Sequence, residues 1–198
     1  KYIIMKKIIV VIALTVSVLS CKKETKAIDV KEKNVTIIKK DEMPKKKVLS
    51  PHATAMTMIG DAHIHIDYSS PGVRDRIIFG GLLSYDMVWQ AGAHNATWLE
   101  TNQDLIIDGK TLSAGKYGFF TIPSKKEWTI IFNTNWDQHG KDDYDEKEDV
   151  LRFKVKSILS ETITEHLEYK VIKKSDTEGS ISLAWEKVLI DFNFIVKQ

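Results

Sequence analysis

Two histidines two positions apart are the first candidates for chemistry in this sequence. His63 and His65 alternate with apolar residues, so a β-strand would place both on one face together with Asp61 and Asp67. Imidazole pairs of this kind bind zinc and other divalent metals, but a metal site needs three or four converging ligands. We therefore interpret the pair as a polar strand face without a metal. The alternative is a metal-assisted hydrolase or lyase with His94 as a third ligand.

A second group of candidates lies between residues 76 and 98, where the strand pattern breaks down twice. Loops on a rigid scaffold are where binding groups concentrate, and this segment mixes an aromatic face, a guanidinium and adaptable polar groups. The alternative is structural: Trp89 would fill the core, and Arg76 would pair with Asp75 or Asp86 as a clamp. The candidate binding residues are Arg76, Trp89, Gln90, His94, Asn95 and Thr97.

The other tryptophans divide by their setting. Trp128 and Trp185 are in phase with aliphatic neighbours, so we predict that both are buried. Trp89 and Trp136 stand beside loops, and for them burial is the expectation with more room for exposure. Exposed tryptophans next to Asp or Asn can stack against sugar rings, which keeps a glycan among the possible ligands.

The sequence lacks the motifs of calcium binding, nucleophilic catalysis and phosphate binding. The acidic loop between residues 137 and 149 fits no calcium-loop spacing, so we interpret it as a solvated loop. The chain has no Gly-x-Ser-x-Gly elbow, no glycine-rich phosphate loop and no second cysteine. These features favour a non-enzymatic function and predict no cofactor.

The N-terminus has the features of an export signal. Lys6 and Lys7 precede an apolar run that ends in Ser20 and Cys21, which predicts a signal peptide over residues 1–20. The run is too short to span a bilayer, because crossing takes about 20 apolar residues. The residues before Cys21 resemble the lipobox of bacterial lipoproteins, so we expect Cys21 to carry the lipid, such as palmitate.

The charge distribution separates a tether from a domain. Residues 22–47 carry ten lysines against five acidic residues, whereas residues 48–198 carry 16 basic and 22 acidic side chains. The first stretch has too little apolar surface for a core, so we predict a lipid-anchored, lysine-rich tether over 21–47 and one domain over 48–198. The acidic domain offers no basic face for nucleic acid. We expect an exported lipoprotein on the bacterial envelope membrane, facing the periplasm or the cell surface.

Short alternating runs predict the fold of the domain. Residues 62–68 alternate, and Asp108 with Gly109 offers a tight hairpin turn. Apolar residues occupy odd positions from Ile181 and even positions from Val188, so we predict a bulge or turn at residues 186–187. One helical turn is expected near 145–149. The pattern indicates an all-β domain, an antiparallel two-sheet sandwich or jelly roll. Further strands are predicted at 87–89, 96–101, 105–107, 116–122, 128–133, 150–156 and 165–172.

Several blocks in order also resemble a known family. They are Tyr68 to Pro71, Arg76 to Leu82, Val88 to Ala93, Ala114 to Tyr117, Phe120 to Pro123, Glu127 with Trp128, and Asp149 to Arg152. Together they resemble the domain of unknown function 2911 family, common in Bacteroidetes, over residues 50–194, and the resemblance implies an envelope lipoprotein. Where the family pattern has Arg after the tryptophan, and Asn and Glu after Gly-Ala, this chain has Gln90, His94 and Asn95.

The sequence thus favours a non-enzymatic domain that binds a small ligand, a glycan or an envelope partner. Two alternatives stay open. One is the metal-assisted hydrolase or lyase built on His63 and His65. The other is a structural or stress-related component of the envelope.

Overall fold

The computed structural model describes residues 48–197. The predicted signal peptide, Cys21 and the lysine-rich segment lie outside the described residues. Within residues 48–197, no helix is long and apolar enough to cross a membrane.

Ten strands in two antiparallel sheets make up the domain. Six strands form one sheet in the order β1-β2-β3-β6-β7-β8, and four form the other in the order β5-β4-β10-β9. The predicted all-β, two-sheet antiparallel fold is confirmed. One turn of 3-10 helix, Glu146–Glu148, lies where a helical turn is predicted. In chain order the strands are β1 (His52–Ile59), β2 (Ala62–Ser69), β3 (Trp98–Thr101), β4 (Leu105–Ile107), β5 (Lys110–Leu112), β6 (Gly115–Ile122), β7 (Glu127–Asn133), β8 (Asp149–Lys156), β9 (Ile158–Lys173) and β10 (Glu178–Val196).

Strand β2 follows the alternation in its sequence. Ile64 and Ile66 are fully buried between the sheets, whereas His63, His65 and Asp67 point to the opposite face and are half-buried. Because side chains alternate along a strand, burial of the isoleucines fixes the histidines on the outer face of the six-stranded sheet.

The core between the sheets is rich in aromatic side chains. Trp128 and Trp185 are each only 1% exposed, which confirms their predicted burial. Phe79 makes edge contacts with both indoles, at ring-centroid distances of 4.9 Å and 6.0 Å. Such pairs contribute beyond the apolar area that they bury.

Two predicted local features are confirmed. Asp108 and Gly109 connect β4 to β5 with positive φ angles of 50° and 72°, as a tight hairpin turn requires. In β10 the register shifts on both sides of Glu186, whose φ is 54°. This bulge moves the apolar side chains from odd to even positions while they stay on the core face.

Two segments differ from the prediction. β1 is a full strand although its inward side has one large apolar residue, Ile59 at its end: Ala53 and Ala55 lie on the same half-buried side, and Met56 is exposed. The segment predicted as a strand at 87–89 makes a single antiparallel bridge, from Trp89 to Thr121. It goes no further because the chain turns at Ala91, whose φ is 52°.

The long connection between β2 and β3 is fastened at several points. The Val73 amide donates to the carbonyl of Glu165 in β9 over 2.7 Å. Trp89 exchanges backbone hydrogen bonds with Thr121 of β6 at 2.8 Å and 2.9 Å. These bonds hold most of the segment that contains the candidate binding residues against the sandwich.

Candidate functional site

The outer face of the six-stranded sheet is built from neighbouring strands in register. His65 of β2 lies opposite Glu100 of β3, and Asp67 lies opposite Trp98. Across the next pair, Glu100 lies opposite Lys116 of β6. Side chains at paired positions share a face, so these five side chains form a continuous outward-facing group.

Two tryptophans surround a lysine on this face. The ring centroids of Trp98 and Trp136 are 6.3 Å apart, and the Lys116 ammonium lies 3.5 Å and 3.7 Å from them. The His65 ring meets Trp98 edge-on at 4.9 Å. All four residues are half-buried. Cation–π attraction holds an ammonium at such distances. We refer to His65, Trp98, Lys116 and Trp136 as the outer aromatic cluster.

Gly118 explains how Trp136 reaches the sheet. A Cβ atom at Gly118 would lie 2.6 Å from the Phe120 ring, 3.1 Å from the carbonyl oxygen of Asn135 and 3.3 Å from the Cα of Trp136. A side chain here would therefore press against Phe120 of the same strand and against the loop that carries Trp136. The bare glycine lets this loop lie flat over the strand beside Trp98, its cross-strand partner.

A polar cleft opens beside the cluster. It has a volume of about 140 Å³ and is lined by His52, Asp67, Ser69, His94 and Asn95 among others. Within it, His52 Nε2 lies 2.7 Å from Asp67 Oδ2. The cleft presents imidazole, carboxylate and amide groups, which recognise polar ligands through hydrogen bonds.

Backbone bonds to a second loop hold His94 and Asn95. The carbonyl of His94 accepts from the Gly140 amide over 2.7 Å, and Ala96 donates to the carbonyl of Gln138 over 3.0 Å. Asn95 forms a bridge with His139. The loop that carries Trp136 is thus joined to the loop that lines the cleft.

Three of the predicted binding residues make contacts that stabilise the fold. Arg76 donates to the carbonyls of Val73 and Gly72, at 3.0 Å and 2.7 Å, so it clamps the backbone instead of pairing with Asp75 or Asp86. Buried Thr97 donates to the carbonyl of Ala91 over 3.0 Å.

The third of these residues is Trp89, which lies in the core. Its indole is 4% exposed, stacks on Trp185 at 5.6 Å and donates Nε1 to the carbonyl of Gly92 over 3.0 Å. Trp89 thus fills the core, as the structural alternative to a binding function predicts, and its ring is almost inaccessible to solvent. The indoles that solvent reaches on the outer face are those of Trp98 and Trp136.

The remaining candidates separate into two places. His94 and Asn95 line the polar cleft together with His52. Gln90 instead lines a mainly apolar cleft of about 220 Å³ with Leu82 and others. The structure therefore brings only two of the six candidates together with the outer face.

The predicted metal alternative depends on His63, His65 and a third ligand. The two imidazole centroids are 5.9 Å apart. Within residues 48–197, no three His, Cys, Asp or Glu side chains are grouped closely enough to hold a metal ion. His65 Nε2 is buried and has no hydrogen-bond partner among those residues. Its ring lies edge-on to Trp98.

The acidic loop has structural bonds instead of converging oxygens. Asp145 accepts from the Lys147 amide at the start of the 3-10 helix. Asp149 accepts from the Asn133 side chain over 2.8 Å and from the Tyr144 hydroxyl over 2.9 Å. Burial and the Asp149 carboxylate raise the pKa of the Tyr144 hydroxyl.

Sequence reasoning missed Lys116 and His52 as members of this surface. The signal for Lys116 was present, since strand parity places it on the same side as Gly118 and opposite Phe119. His52 had no such signal, because the strand that carries it was not predicted.

Fold and surface together define a two-sheet antiparallel β-sandwich with an aromatic and polar outer face. Residues 50–194 match the family described as protein of unknown function (DUF2911), and the chain belongs to this family. No curated protein and no solved structure matches the chain.

Proposed function

We propose that this domain is a non-enzymatic binding module whose recognition surface is the outer face of the six-stranded sheet. One observation carries the proposal: Trp98 and Trp136 are held around Lys116 on a solvent-facing sheet surface, next to a polar cleft. Indoles give a ligand large, rigid apolar contact at low entropic cost. The cleft adds hydrogen-bonding groups that would fix the orientation of a polar ligand.

Among the ligand classes open from the sequence, a glycan suits this surface best. Sugar rings have flat apolar C–H faces and a rim of hydroxyl groups, which match indoles beside His, Asp and Asn side chains. The metal-assisted alternative gains no support from residues 48–197, because His63 and His65 have no third ligand beside them.

A panel of soluble polysaccharides tests the proposal. The purified full chain would be run through native gels containing alginate, xylan, hydroxyethylcellulose or solubilised peptidoglycan. We expect at least one polymer to retard it, and the double variant Trp98→Ala/Trp136→Ala to migrate freely. Leu159→Ala is the matched control, since this apolar side chain is 79% exposed on the other sheet. Migration unaffected by all four polymers, or retardation that survives the double variant, would reject the recognition surface.

We also propose that the module works on the bacterial envelope, attached through a lipid on Cys21. The support is the charged, short apolar leader before a lone cysteine. In cells fed an alkyne fatty acid, the wild-type chain should become labelled. The Cys21→Ala variant should take up no label and should no longer be found in the membrane fraction. A chain that stays membrane-bound without taking up label would contradict the lipid anchor.

A further inference from the structure

In the described part of the chain, the Lys116 ammonium is held by aromatic rings and not by an acidic partner. Within residues 48–197 no carboxylate lies within salt-bridge distance of its ammonium, although Glu100 is its cross-strand neighbour. The charge is held against Trp98 and Trp136 instead. An ammonium bound by cation–π contacts keeps its N–H donors, and these contacts do not neutralise its charge.

Histidines are concentrated on the sheet face that carries this ammonium. Five of the six histidines of the chain lie on the outer face or at its rim: His52, His63, His65, His94 and His139. Asp67 is engaged by His52, and Asp142 at the rim by His139, at 2.7 Å and 3.1 Å. Glu100 is the acidic group that faces Lys116 directly.

We propose that the outer aromatic cluster recognises glycans that carry carboxylate groups, that is, polymers of uronic acids. The inference rests on the proposed function and names the ligand class of the same surface. The sugar ring would pack on Trp98 or Trp136, and its carboxylate would accept from Lys116 Nζ. A charge-assisted hydrogen bond of this kind discriminates strongly, because a neutral sugar leaves the ammonium without its anion.

Residues 48–198 carry an excess of acidic over basic side chains. An acidic polymer would therefore be repelled by much of the surface and directed to the face that carries Lys116. Glu100 opposes binding there by like-charge repulsion. Removal of this carboxylate should therefore strengthen binding of the acidic polymer.

The test compares two forms of one oligosaccharide. Calorimetric titration of the full chain would use tetragalacturonate and the same tetramer with its carboxyl groups methyl-esterified. We expect the acid to bind about tenfold more tightly than the ester, the size of one charge-assisted hydrogen bond. Lys116→Met should abolish this difference, Lys116→Arg should retain it, and Glu100→Gln should tighten binding of the acid alone.

The outcomes separate the two proposals. Equal affinity for acid and ester, with both lost in Trp98→Ala, would overturn the acidic class and leave the recognition surface standing. If the chain binds neutral polymers in the gel assay but neither tetragalacturonate nor alginate, the proposal that the ligand is a polymer of uronic acids is also overturned. Melting curves for Lys116→Met and Lys116→Arg show whether both keep the fold. If Lys116→Met unfolds, equal affinities in Lys116→Arg still overturn the inference.

Discussion

Replacing one indole in the core and one on the outer face separates structural from surface tryptophans. Trp89 is buried, stacked on Trp185 and hydrogen-bonded to the Gly92 carbonyl. Truncation of a buried tryptophan to alanine costs about 3–5 kcal/mol of unfolding free energy. Because a domain has about 5–15 kcal/mol in total, Trp89→Ala would remove a large share of it. Each kcal/mol lowers the melting temperature by roughly 2–4 °C for this size, so we expect a fall of roughly 6–20 °C.

Trp98→Ala is the matched control, because it removes the same side chain from the half-buried outer face. It loses partial burial and one cation–π contact, together about 1–2 kcal/mol. Urea unfolding of both variants, with the slope compared to wild type, measures the difference directly. A Trp89→Ala variant that loses no more stability than Trp98→Ala would refute the assignment of Trp89 to the core.

Three further predictions address the interior and the backbone. Gly179→Ala should lower stability by about 1–3 kcal/mol, because its Cβ would lie 2.4 Å from the Ile59 side chain; denaturant midpoints measure this. Glu186→Gly should not destabilise the domain, since glycine adopts the φ of 54° without strain, whereas Glu186→Val should destabilise it; thermal melting compares them. Burial raises the pKa of Tyr169 well above 10, as it does for Tyr144. Both hydroxyls stay protonated in the folded chain while the unfolded chain ionises, so stability should be full below about pH 10 and fall above it, with absorbance at 295 nm rising as the chain unfolds.

The regular parts of the fold follow from local patterns. Alternation in β2 predicts both its position and its faces, because one side is buried and the other meets solvent. The change of parity at Glu186 predicts a bulge, since apolar side chains that stay on the core face across a parity change require one extra residue. Both are properties of a few consecutive residues, which a sequence displays directly.

The strand β1, which was not predicted, and the burial of Trp89, for which a binding position was left open, both depend on distant residues. β1 becomes a strand because its backbone pairs with β2 along its whole length, while its own side chains, such as Ala53 and Ala55, supply little apolar pattern. Trp89 stands among turn residues in the sequence, and its burial depends on its bridge to Thr121 and its stack on Trp185. A local pattern contains no information about which remote partner receives a loop.

The outer face shows why an aromatic surface and an aromatic core are hard to separate from sequence. In β3, Leu99 is buried and Trp98 faces outward, so the larger apolar side chain occupies the wetter side. Hydrophobic burial alone would favour the opposite arrangement, because a tryptophan buries more apolar area than a leucine. The pairing with Gly118 and the contacts with Trp136, Lys116 and His65 cover the outward indole. The position of this indole therefore depends on contacts from other strands and from a remote loop, which the sequence of β3 alone does not display.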